Sequence, residues 1–101
     1  MSDASVTLVL EFEGEADPTL AQQAKAATGA ETRTVEQHGL EGDLNTWLMI
    51  GNFAIASLVA LIPVVSTALQ ARRAKSIKVG DVTIENPTAE QVTELLRRGR
   101  G

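Results

Sequence analysis

Apolar and polar residues alternate at the front of the chain. In SVTLVLEFEGE, Val6, Leu8, Leu10 and Phe12 fall on one side, and Thr7, Val9, Glu11 and Glu13 on the other. A period of two predicts a half-buried strand. DPTLAQQAKAATG changes the period: Asp17 suits an N-cap and Pro18 the first helical position. Leu20, Ala21, Ala24 and Ala27 share one face until a stop near Gly29. AETRTVEQHG predicts a weaker strand, with Thr32, Thr34 and Glu36 alternating against Arg33, Val35 and Gln37, and GLEGD a loop.

The pattern then stops alternating. No charged residue stands between Leu44 and Ala71. As one helix these residues would be roughly 42 Å long, and Trp47 to Leu69 matches the ~20 apolar residues that cross a bilayer. Wound as a helix, Asn45, Asn52, Ala56, Ala60, Pro63, Ser66, Thr67 and Gln70 lie opposite Trp47, Ile55, Leu58, Leu61, Ile62, Val65 and Leu69. That predicts a helix-packing face in which Ala56 and Ala60 form a small-xxx-small pair and Asn52 hydrogen-bonds a neighbour. Trp47 marks one membrane interface, Pro63 a kink, and Arg72, Arg73, Lys75 and Lys78 a basic flank at the other end. The competing reading is a helix buried in a soluble domain or covered by a partner. The flanking units, if separated by a bilayer, would each lack a core.

Beyond it, SIKVGDVTIEN predicts a hairpin turning at Gly80-Asp81, with Ile77, Val79, Val82 and Ile84 on one face and Lys78 and Thr83 on the other. NPTAEQVTELLRRGRG predicts a closing helix. Thr88 and Gln91 form a capping box, Val92, Leu95 and Leu96 the buried stripe, and Glu94 and Arg98 an i,i+4 pair. The expected fold is therefore α+β, a small β-α-β-α-β-β-α domain with a long apolar central helix as candidate transmembrane span. Its parts are an acidic strand-helix-strand unit (1–43), the apolar helix (44–71) and a basic hairpin-helix unit (72–101), together one domain.

Charge sharpens that division. The net −4 conceals −7 over residues 1–43 and +3 over residues 72–101. Basic residues after the apolar segment and acidic ones before it predict a membrane-associated protein with a cytoplasmic C-terminus; the alternative is a cytoplasmic protein. MSDASVTLVLEFEGE has an acidic flank and no small-residue cleavage pattern, so it predicts a strand rather than a secretory signal.

Candidate chemistry is sparse. The chain has no cysteine and one histidine, His38, in a loop signal, which argues against a thiolate or zinc site. GLEGD lacks the spacing and lysine of a phosphate loop. Glu11, Glu13 and Glu15 repeat along one strand face, where nothing predicts the burial that acid–base catalysis needs. Ser57 and Ser66 have no base placed to activate them. We expect no catalytic, cofactor-binding or metal-binding residues, and no nucleic-acid partner, because no aromatic residues interleave with the basic cluster.

The order of an acidic first strand, an uncharged middle, an Arg-Arg run, and a hairpin with short final helix (ALQARRAKSIKVGDVTIENPTAEQVTELLRR) resembles the effector-associated constant component 1 family. The resemblance covers most of the chain in layout and residues 68–98 more closely. It implies a small α+β protein of bacterial conflict systems, encoded beside NTPases, proteases and toxic effectors and serving as a shared adaptor, with no catalytic residues to carry over. The expected function is thus a non-enzymatic adaptor acting through a protein partner (effector, NTPase or protease component) or a membrane. The alternatives are a self-assembling membrane protein of holin or toxin type and a soluble α+β dimer; a homo-oligomer fits either.

Overall fold

The computed structural model describes residues 4–14, 16–37, 46–72 and 74–98. β1 (Ser5–Glu13) forms where strict alternation requires it, and Leu8, Leu10 and Phe12 on its even-numbered face are fully buried. α1 (Pro18–Thr28) starts at Asp17, whose carboxylate accepts from the Thr19 amide at 2.9 Å, and ends at Gly29. It buries Leu20, Ala21 and Ala24, whereas Ala27, expected on the same face, is exposed. β2 (Thr32–Gln37) follows.

The uncharged segment departs from expectation. Residues 44–71 do not form one helix. They give β3 (Thr46–Ala54), a 3₁₀ helix (Ile55–Leu61) and α2 (Ile62–Ala71), with Pro63 in the first turn of α2 rather than at a kink. Among the described residues no helix is long and apolar enough to cross a membrane. The expected β-α-β-α-β-β-α order therefore gains a strand. The physical reason lies in pairing. β1 and β2 do not touch; β3 lies between them and bonds both along its length. A helix there would satisfy its own backbone but leave β2 without a neighbour and β1 with an open edge. β3 alternates too, burying Trp47, Met49, Gly51 and Phe53. Leu48 and Ile50 on its other face are also apolar, which hides the period of two in the sequence.

β4 (Ala74–Val79) and β5 (Val82–Glu85) form the expected hairpin, pairing Val79 with Val82 and Ile77 with Ile84. Gly80 has φ of 60° and no other turn residue is left-handed, as in a type II′ turn. α3 (Ala89–Arg98) opens with the reciprocal capping box: the Gln91 amide donates to Thr88 Oγ1 at 3.2 Å, and the Thr88 amide to Gln91 Oε1 at 2.9 Å.

All strands are antiparallel to their neighbours, in the order β2-β3-β1-β4-β5. β1 and β2 run parallel around β3, and β3 and β4 run parallel around β1. Two interlocked split β-α-β units of this kind are the ferredoxin-like arrangement, extended here by β5 and α3. The helices share one core with one face of the sheet. Leu58, Leu61, Val65, Val92 and Leu96 are fully buried with Leu8, Leu10, Phe12, Trp47, Met49, Phe53 and Ile77. Burial of each such side chain stabilises the fold by about 1.5–3 kcal/mol, so the apolar segment is held largely by the domain's own core.

Candidate functional site

The register defines what the other face of the sheet presents. One row across the strands reads Arg33, Ile50, Val9, Lys78, Thr83; the next reads Val35, Leu48, Glu11, Ser76, Glu85. These alternate with the residues buried under the helices, so they stand on the face opposite the helical layer. Val9, Val35, Leu48 and Ile50 are only half-buried and form an apolar strip over β2, β3 and β1. Lys78, Thr83 and Glu85 are exposed on the neighbouring strands. Ser76 Oγ donates to Glu11 Oε1 at 3.3 Å, tying β4 to β1. Between Glu11 and Phe12 the register slips by one, leaving Lys75 as an extra, exposed residue of a bulge. The ion pairs among the described residues join Lys25 to Glu31, Asp17 to Arg72 and Glu94 to Arg98, and none uses Arg33, Lys78, Glu11 or Glu85.

A second constellation lies under the helices. Trp47 stacks on Phe12 with ring centroids 4.7 Å apart and planes 22° from parallel. The Arg72 guanidinium sits 5.6 Å from the Trp47 ring centroid and pairs with Asp17. The arginine thus fastens the end of α2 to the start of α1 and lines a surface groove of about 570 Å³ with Gln70 and Asn86. The Asp17 carboxyl is held below its ordinary value, first by the Thr19 amide, then by the Thr19 hydroxyl, with Arg72 adding to both against a desolvation cost. Trp47 Nε1 and Thr34 Oγ1 are buried and have no hydrogen-bond partner among the described residues. This cluster joins elements and holds one cation, already paired.

The residues expected to form a helix-packing face are dispersed. Trp47 is fully buried against Phe12, not at a helix end. Asn52 is exposed on β3, Ala56 and Ala60 are exposed on the 3₁₀ helix, and Pro63 is exposed at the start of α2. Val59, between the two alanines, is the large apolar residue with most exposure among the described residues, 54%. The basic flank divides likewise: Arg72 turns inward, Lys75 sits on the bulge and Lys78 on the bare sheet face. Arg73 and His38 lie outside the described residues. Among the described residues no three His, Cys, Asp or Glu side chains are grouped as a metal site. Sequence reasoning missed Leu48 and Ile50 as surface residues, although the parity of Trp47, Met49, Gly51 and Phe53 carried the signal.

No family model matches the chain, and no curated protein or solved structure matches it.

Proposed function

We propose that this protein is a non-enzymatic association module, an adaptor that works by protein–protein contact through the bare face of its sheet. The observation that carries the reading is the strip of Val9, Val35, Leu48 and Ile50, central on a sheet whose other face is covered. Contiguous apolar surface on a folded domain commonly marks a contact site. A protein partner is favoured over lipid because Trp47, Met49, Phe53, Leu58, Leu61 and Val65 spend the apolar segment on the domain's own core. It is favoured over nucleic acid because Phe12, Trp47 and Phe53 lie beneath the helices, where no base can stack on them. The layout that resembles the effector-associated constant component 1 family supplies the setting, a bacterial conflict system.

Co-expression with the products of adjacent genes tests this. An NTPase, protease or effector component is expected to co-purify with the wild-type chain, and a Leu48→Asp/Ile50→Asp variant to lose it about tenfold or more. The variant's far-UV circular dichroism must remain that of the wild type. Undiminished co-purification with a well-folded variant would remove the sheet face from the reading. A gene neighbourhood without such components would remove the conflict-system setting.

A further inference from the structure

We infer that the first occupant of the bare sheet face is a second copy of this chain, stacked so that each strand lies over its own counterpart. This rests on the association reading above and names the partner at that site.

The charges on the face select the symmetry. Adjacent strands are about 4.8 Å apart, and same-face residues about 6.8 Å apart along a strand. Closed dimers are built on two-fold axes, and for stacked sheets such an axis lies between them. An axis parallel to the strands and midway between β3 and β1 would set β2 over β4, placing Arg33 over Lys78 of the partner subunit and Leu48 over Glu11 of the partner subunit. An axis along β1 would bury Ile50 under Lys78 of the partner subunit and Val35 under Glu85 of the partner subunit. Both juxtapose like charges or cover the apolar strip with charge.

An axis perpendicular to the strands, between the Val9 row and the Glu11 row, brings no like charges together and sets Val9 under Glu11 of the partner subunit, the one residue of the strip it leaves against a carboxylate. It keeps the β2-β3 half on the β2-β3 half, so Ile50 stacks on Leu48 of the partner subunit. Lys78 comes down on Ser76 of the partner subunit, flanked by Glu11 and Glu85 of the partner subunit. Among the described residues Lys78, Glu11 and Glu85 make no ion pair. Arg33 lays its stem over Val35 of the partner subunit while its head reaches the rim. Packed sheets cross at about 30°, which moves the outer positions but leaves the central rows in register.

The face spans about 24 Å across five strands. The two rows and their margins bury on the order of 1,000 Å² over both copies, the low end for a specific interface. An interface of that size belongs with weak, reversible contacts. A dimer of this kind turns both helical layers outward.

Analytical ultracentrifugation of the full chain over a concentration series, with charge-reversal variants, is the test. Wild type should sediment as a concentration-dependent dimer. Lys78→Glu leaves the face of one chain all acidic along this half, and Glu11→Lys/Glu85→Lys leaves that of the other all basic. Each variant alone should weaken self-association about tenfold or more, and an equimolar mixture should recover a heterodimer at least as tight as wild type. Circular dichroism confirms that the variants fold. Three results would overturn the inference: wild type monomeric at every concentration, variants that dimerise as wild type does, or a mixture that stays monomeric. If the chain is monomeric but Leu48→Asp/Ile50→Asp still abolishes capture of a neighbouring gene product, self-pairing fails and the association reading stands. If neither measurement responds to the face, both fail.

Discussion

Gly51 is the position where one atom matters most. It faces the core in the middle of β3, opposite Leu8 on β1 and Thr32 on β2. A Cβ there would lie 2.5 Å from Phe53 Cζ and 2.8 Å from Thr32 Cγ2. Phe53 is fully buried and cannot swing away, so Gly51→Ala should destabilise the fold by about 1–3 kcal/mol. A shift in urea midpoint at constant slope measures this, and an unchanged midpoint would mean that the ring has room to move. Asp17 adds a contribution that depends on pH. Its folded-state carboxyl is lowered below 3.8, so its ionised form is the one the fold favours. The resulting stabilisation is complete above that ordinary value and lost as pH falls through the folded one. Asp17→Asn keeps an N-cap side chain but removes the charge. Its stability, followed from pH 6 down to about pH 2, should decline less steeply on the acid side than wild type. Parallel acid limbs for the two proteins would assign the acid sensitivity elsewhere.

At the scale of elements, legibility in the sequence followed how polar the second face of each strand is. β1 and the β4–β5 hairpin alternate apolar with charged or hydroxyl residues, so their two faces could be read residue by residue, with the hairpin's register down to Lys78 and Thr83 opposite Ile77 and Val79. β2 carries only Val35 among polar residues, so its strand was legible but its faces were not. α3 was readable from its capping box and stripe. β3 was not, because Leu48 and Ile50 make its bare face as apolar as its core face, and what remains is a run that hydropathy alone assigns to a helix. The bare face was thus legible on β1, β4 and β5 and missing the part that β2 and β3 supply. Had β3 been helical, the cost of substitution along it would repeat every three to four residues. As a strand it must alternate: Met49→Ala should cost about 2–5 kcal/mol, whereas Leu48→Thr and Ile50→Thr should each cost under about 1.5 kcal/mol, since they remain on a half-exposed pleated surface. Equal losses at Met49 and Ile50 in denaturant titrations would contradict the alternation.

The whole molecule depends on strands drawn from every part of the chain. β1 from the acidic front pairs with β3 from the uncharged middle on one side and with β4 from the basic rear on the other, so charge changes along the sequence while the sheet interleaves. The front cannot complete its hydrogen bonds without β3, and neither flank can complete its core without the middle. Trp47 reports on that joint at its centre, fully buried on Phe12 and beneath Arg72, and it is the chain's single tryptophan. Thermal unfolding should therefore be one transition in which loss of far-UV circular dichroism and the red shift of Trp47 emission coincide. Melting at a protein concentration below dimer dissociation removes the contribution of mass action to the midpoint. Two separated transitions, with helix signal persisting after Trp47 has become solvated, would mean that the middle segment leaves the sheet as an independent helix. That result would return the uncharged residues to the role their hydropathy suggests. Coincident transitions would instead tie β3 to the strands on both sides of it, because a strand cannot stay folded once its neighbours are gone.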